Sequence, residues 1–328
     1  MAAVKTLESR PTSAPATQAP KFEFTKRGPV RIKLFATGLH NPSHMEWTQD
    51  GRLLVSEHTA GQIKDVTKGG DMKNEKPFVY GLEGPAGILP LPDGRILVSE
   101  TWGGRVKDIG KGGDMTKQEA FADEMSMPYS LVRTTKADGS ERITVSESLG
   151  AFHAQITEVT NGGTRTNFTA YVKNMPSIPG APGLTPIGSW PSDWERYAAA
   201  KCVKNWQGTG RHGEHFVAVG PVGQVLKIPH GGGDYLELVD EGYLVAWGLQ
   251  RMGGMYTHPV NGRIYAVQPE DGSVVSFEPD QPQNQGFEPP VIQGLNMPTC
   301  PRFSSDGETM YVCSSGDGVI WEVTDFLR

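Results

Sequence analysis

Glu57, Glu100 and Glu147 occupy one repeated position in this chain, each closing a short run: Leu53-Leu54-Val55-Ser56-Glu57, Ile96-Leu97-Val98-Ser99-Glu100 and Ile143-Thr144-Val145-Ser146-Glu147. Carboxylates gathered on one rim repel one another unless a cation, a partner or a proton relieves them. Their chemistry would therefore be either ligation of a hard divalent cation, calcium or magnesium, or general-base catalysis by a carboxylate of raised pKa. Glu57 reads as the base, because His58 adjoins it and His44 is expected on the neighbouring strand; His44 would be a metal ligand or a proton donor, with Glu57 as its fellow ligand. Glu100 and Glu147 would tune charge or hold the cation, and Trp102, Tyr129, His58 and His153 would contact substrate. The structural alternative is that each glutamate accepts hydrogen bonds from the backbone of its own turn, and the repetition itself favours that reading for any single one. The same position holds Gly220, Gln268 and Ser314 farther along, so the acidic arc covers half a rim.

The elements that must position these residues follow from a recurring hairpin. Asp50-Gly51, Asp93-Gly94, Asp138-Gly139, Asn261-Gly262 and Asp306-Gly307 each sit between short apolar runs, the pattern of a type I′ turn with positive φ at both centres. Positions 50, 93 and 138, and again 261 and 306, are 43 to 45 residues apart. A period near that length with several short strands per unit is the signature of a β-propeller blade. The gap from 138 to 261 holds one further blade plus an insertion, so the spacing predicts an all-β, six-bladed propeller of four-stranded blades. Arg31-Ile32-Lys33-Leu34-Phe35-Ala36 is expected to close the last blade as its outer strand, since the chain ends after a third strand at Trp321 to Val323. In such a ring the start of each inner strand A and the end of strand B share a face, which is where the candidate residues fall.

Residues 1–28 lack periodic apolar patterning and read as a tail, with 29–328 forming the propeller and an insertion at about 178–213. Within the insertion, Ser192-Asp193-Trp194-Glu195 fits a capping box leading into Tyr197-Ala198-Ala199-Ala200, with Trp190, Trp194 and Trp206 around the expected helix. The helix is a candidate oligomer contact. A formal net charge of −6 with no basic stripe argues against nucleic acid as a partner, and no apolar run is long enough to span a membrane. No charged start leads into an apolar core, and Cys202, Cys300 and Cys313 have no metal-type spacing; reduced thiols in a cytoplasmic protein are the simpler reading. Cys300 and Cys313 flank the last hairpin and are expected as neighbouring core residues. Gly231-Gly232-Gly233 lacks a strand-to-helix setting and no Gly-x-Ser-x-Gly elbow is present, so neither a nucleotide nor a serine hydrolase is expected; nor is haem.

Pro85-Ala86-Gly87-Ile88-Leu89-Pro90-Leu91-Pro92-Asp93-Gly94-Arg95 with its terminal Ser99-Glu100 resembles the repeat of NHL and streptogramin B lyase-like propellers. That resemblance implies either a binding scaffold or an enzyme with a histidine and glutamate centre and a divalent metal, similar in kind to His44 and Glu57. Glu83-Gly84-Pro85 is similar to the start of a gluconolactonase blade, which implies Glu83 as a calcium ligand, although Met127-Pro128-Tyr129-Ser130 and Met252-Gly253-Gly254-Met255 stand where further ligands would lie. Strictosidine synthase-like relatives imply a metal-free glutamate base in the channel. The function expected is a small-molecule lyase or cyclase, with a lactone or ester hydrolase and a non-catalytic scaffold as alternatives.

Overall fold

The computed structural model describes residues 30–150, 153–176 and 205–327. They form six antiparallel sheets in a ring, each with its strands A to D running from the channel outward. The inner strands A are Pro42–Trp47, Pro85–Pro90, Leu131–Thr135, Asn205–Thr209, Met255–Thr257 and Pro298–Phe303. Blade 6 takes its outermost strand from Arg31–Thr37, which pairs antiparallel with Val319–Thr324 from Arg31 opposite Thr324 to Ala36 opposite Ile320. The ring is thus closed by the N-terminal strand, as the sequence leads one to expect.

Strand B is buried along its length in blades 1, 2, 4 and 5 because each blade packs against a neighbour on both faces. The cores are the seams between blades: Leu54, Ile63 and Val79 meet Ile88, Ile96 and Val98 between blades 1 and 2, and Ile156 and Val172 meet Val217, Leu226 and Ile228 between blades 3 and 4. Around the outside, each glycine-rich C-to-D connection bonds to the outer strand of the preceding blade; Gly113 N–H reaches Phe78 O at 2.9 Å and Gly163 N–H reaches Phe121 O at 2.9 Å. A Cβ on Gly162, at φ +64°, would lie 2.3 Å from Phe121 O, so the closeness of adjacent blades requires glycine there.

Two sequence expectations change. In the A-to-B hairpins the positive φ falls on Gly51, Gly94, Gly139, Gly262 and Gly307 and not on the preceding Asp or Asn. Gly51 N–H bonds Thr48 O at 3.0 Å and Thr48 N–H bonds Arg52 O at 2.8 Å, which describes a type I turn followed by a left-handed glycine bulge in place of a type I′ turn. The aspartate holds that geometry by accepting from the N–H two residues on, as from Arg95 N to Asp93 Oδ1 at 3.1 Å.

The second change concerns the insertion. Residues 205–213 belong to blade 4, with Asn205–Thr209 as its strand A and Gly213 (φ +85°) in a hairpin that has His212 where other blades have Asp or Asn. Trp206 therefore lies on the channel strand. The capping box and Cys202 fall outside the described residues; residues 177–204 lie between strand D of blade 3 and strand A of blade 4, which settles the connection they occupy. The one α-helix among the described residues, Tyr235–Asp240, is capped by Asp234 in a blade 4 connection. No helix among the described residues is long and apolar enough to cross a membrane.

Candidate functional site

The three repeated glutamates do not form an arc around an open channel. Each is fully or almost fully buried inside its own blade. Glu57 Oε1 accepts from His40 N–H at 2.5 Å, and Oε2 from Gln62 Nε2 at 2.5 Å with Lys64 Nζ at 3.7 Å. Glu100 accepts from Glu83 N–H at 2.6 Å and Arg105 Nε at 2.7 Å, with buried Lys107 at 3.4 Å. Glu147 accepts from Ser126 N–H at 2.8 Å and is held by both Arg165 nitrogens at 2.6 and 3.0 Å. Burial would raise the Glu147 pKa, but the Arg165, Thr157 and Ser126 hydrogen bonds outweigh it and keep the group below the ordinary carboxylate range. In blade 5, Gln268 Oε1 accepts Gln250 N–H at 2.6 Å, the same tie between the end of strand B and the loop entering the blade. The repeated position therefore tethers loops, and like-charge repulsion is answered locally by a cation in each blade.

Glu57→Gln keeps the shape and loses the charge of this tether. It is expected to lower stability by about 2 kcal/mol, in the range for a hydrogen bond to a charged group, measurable as a shifted urea midpoint.

Other predicted residues divide into two groups. His58, Trp102 and Tyr129 meet at the face where strands A begin: the His58 ring lies 4.7 Å edge-on from Trp102 and 6.4 Å from Tyr129, and its Nδ1 is 3.0 Å from Pro85 O. His153 is exposed at the start of its strand and has no ring contact with that trio. Glu83 is half exposed and paired with Arg105 at 3.0 Å. Glu57, His44 and Glu83 thus share no ligand geometry, and among the described residues no group of three His, Cys, Asp or Glu side chains could hold a metal. The residues present do not fit the calcium centre implied by Glu83.

His44 instead joins a cluster that sequence reasoning missed. It sits opposite Ser56 on strand B, and its ring stacks on Trp206 at 5.4 Å and 9°. Arg302 Nη2, from blade 6, donates to His44 Nε2 at 2.9 Å, and Arg302 also holds Glu46 Oε2 at 3.0 Å. A guanidinium has only donors, so His44 Nε2 is the acceptor and the ring is neutral. Burial first, and then the Arg302 charge, push the His44 pKa well below its ordinary value. Tyr256, from blade 5, lies under the guanidinium with the Arg302 carbon 4.3 Å from its ring centre. The charge of Glu46 raises the Tyr256 pKa well above its ordinary value, followed by burial, so the phenol stays protonated and donates to Glu46.

These four side chains line a cavity of about 320 Å³ whose other walls include Thr48, Gln49, Arg133, Gln207 and Thr209. It opens at the ends of strands A, on the face of the A-to-B hairpins, opposite the face singled out from sequence. Farther in, Met45, Ala86, Trp206, Met255 and Cys300 fill the channel, each no more than 2% exposed. Cys300 and Cys313 are free, buried thiols that hydrogen-bond to each other. The signal for the cluster was the alternation His44-x-Glu46 on one face of a strand; its partner Arg302 lies 256 residues from Glu46 and 258 from His44 and meets them only because the ring closes.

No family model and no curated protein matches this chain. Among solved structures, it is similar to a gluconolactonase from Xanthomonas campestris (12% identity, 96% of this chain and 98% of that one, TM-score 0.58). It is also similar to regucalcin, a calcium-binding protein from Agrobacterium tumefaciens (13% identity, 88% and 93% covered, TM-score 0.56). Virginiamycin B lyase from Staphylococcus aureus is a more distant likeness (13% identity, 90% and 99% covered, TM-score 0.49). At these identities the likeness is one of architecture: the chain folds as a six-bladed β-propeller, similar in fold to the gluconolactonase and regucalcin structures.

Proposed function

We propose that the protein is a small-molecule enzyme, a lyase or cyclase, that moves a proton at the hairpin-face mouth of its channel with Glu46 as the base. The observation that carries the reading is the convergence of Glu46, Arg302, Tyr256 and His44, from blades 1, 5 and 6, on one cavity of about 320 Å³. Such a group is costly to bury and adds nothing that apolar side chains could not supply for stability. Glu46 is partly exposed there, whereas Arg302 and His44 are buried behind it.

In an elimination, Glu46 takes the proton from a carbon beside a carbonyl, the C–H electron pair becomes the new double bond, and the C–O bond opposite breaks with the leaving carboxylate keeping its pair. As the proton neutralises Glu46, the Tyr256 hydroxyl and Arg302 Nε that held its carboxylate turn their donors to the negative charge on the carbonyl oxygen. Neutral His44 positions Arg302 by accepting from it. The step uses no metal-bound group.

The test is mass spectrometry of a panel of cyclic esters and cyclic depsipeptides incubated with the protein. Elimination opens a ring with no change of mass, and hydrolysis adds one water. Ring opening without mass gain, reduced about 10²–10⁴-fold in Glu46→Gln as for loss of a general base, is the expected result. Gain of water would favour the lactone or ester hydrolase. A scaffold reading draws on the filled channel interior, and no turnover of any member of the panel would favour it.

A further inference from the structure

All six blades border the channel-mouth cavity, but its charges are unevenly placed. Glu46, Arg302 and Tyr256 stand on blades 1, 6 and 5, and the opposite wall comes from blades 2, 3 and 4. In a ring of six, blade 3 lies directly across from blade 6. Among the described residues, Arg133 of blade 3 is the one charged side chain on that wall.

Its strand position brings Arg133 to the rim. It is the exposed residue between buried Val132 and buried Thr134 on strand A, and its side chain is 44% exposed. It also borders a second cavity, of about 310 Å³, that continues outward between blades 3 and 4, and Thr209 on strand A of blade 4 borders both.

The donors still available on this wall belong to these two residues. Gln207 is committed, with Nε2 donating to Ser130 O at 2.8 Å and Oε1 accepting from the Thr144 hydroxyl at 2.7 Å. Arg133 uses only Nη1, which bonds Glu141 Oε2 at 3.0 Å. Its Nε and Nη2, which form one edge of the planar group, have no hydrogen-bond partner among the described residues, and neither has the Thr209 hydroxyl. Glu141 borders the outer cavity and not the channel mouth, and at 38% exposure its pairing with Arg133 is screened by water and weak. Since Glu46 matches Arg302, Arg133 gives the lining of the mouth a net positive charge, in a chain whose own net charge is −6. A two-nitrogen guanidinium edge fits the two oxygens of a carboxylate.

We infer that Arg133, with Thr209 beside it, is the carboxylate site of the channel mouth and the catalytic residue that receives the leaving group. The catalytic role rests on the elimination proposed for Glu46; carboxylate binding by the same group does not. Glu46 takes the proton from one side of the cavity, the C–H pair becomes the double bond, and the C–O pair stays with the departing oxygen. The charge that grows on that oxygen meets the Arg133 edge and the Thr209 hydroxyl on the other side, so base and leaving group act from opposite walls.

The experiment has two arms. The first follows the arginine Nε–Hε signals of the full chain by proton–nitrogen NMR during titration with acetate, with acetamide as the neutral control and chloride at equal ionic strength. Arg133→Met assigns the signal and removes only an exposed pair. The expected result is an Arg133 signal that moves saturably with acetate and with neither control, and a response about tenfold weaker in Thr209→Val, as for loss of a hydrogen bond to a charged group. The second arm measures turnover of any ester of the panel that the parent opens. Arg133→Met is expected to lower kcat about 10²-fold with little change in KM, because the leaving charge exists only in the transition state. An Arg133 signal indifferent to acetate, or one that follows acetamide or chloride equally, overturns the carboxylate site. Acetate binding beside an unchanged kcat in Arg133→Met overturns the leaving-group role. Acetate binding beside a parent that opens no ester supports the carboxylate site and overturns the elimination together with the role that rests on it.

Discussion

Arg302→Met is expected to destabilise the protein by about 3–5 kcal/mol, the usual cost of removing one partner from a buried ion pair. Arg302 is 3% exposed and bonds Glu46, His44 and Pro301 O, so its loss leaves a carboxylate without its cation and an imidazole acceptor without its donor. Tyr256 also loses the charge above its ring. Because the cluster ties blade 6 to blade 1 across the closure of the ring, the loss is expected in global unfolding and not in local fraying. A urea series measures it, and the double variant Arg302→Met with Glu46→Gln should recover part of the loss by removing the stranded charge. A single variant as stable as the parent would show that the cluster is not a coupled unit.

Acidification is expected to have a comparable effect. His44, His215 and His258 are buried and neutral, and burial is the leading cause of the lowered pKa at each. His258 shows why protonation is resisted: its Nδ1 accepts from Val260 N–H at 3.2 Å and Asn261 N–H at 3.0 Å, while Nε2 lies 2.9 Å from Gly307 O. A folded pKa below the unfolded value means that the unfolded chain binds more protons below about pH 6.5, so the stability is complete above that pH and is lost as pH falls. For His215, whose folded value is about 3, the loss between pH 6.5 and 5 is about 2 kcal/mol at ~1.4 kcal/mol per unit, and His44 acts in the same direction. Urea midpoints at pH 7.5 and 5.0 test this; a midpoint that does not fall would mean that these rings are protonated in the fold.

The ring was legible because its devices are local. Asp-Gly and Asn-Gly pairs mark the hairpins whatever the exact turn type, and the closing strand follows from a chain that starts with an unpaired strand and ends one short. Blade 4 was obscured because His212-Gly213 replaces the usual pair.

The glutamates misled because a repeated acidic residue resembles a site when its partners are not read with it. Lys64 and Lys107 recur seven residues after Glu57 and Glu100, and Gln62 and Arg105 five after, so the neutralising groups were present at repeat spacing. Glu46 and Arg302 could not be paired from spacing alone, since 256 residues separate them and only ring closure makes blades 1 and 6 neighbours.

The measurement that bears most directly on the location of the chemistry is turnover by Glu46→Gln and Glu57→Gln, purified alike and each checked for folding by thermal melting. The account predicts that Glu46→Gln folds and loses about 10²-fold or more in kcat, while Glu57→Gln melts earlier and turns over substrate at the parent rate. The reverse, a silent Glu46→Gln beside a folded but inactive Glu57→Gln, would contradict it and return the site to the opposite face of the ring.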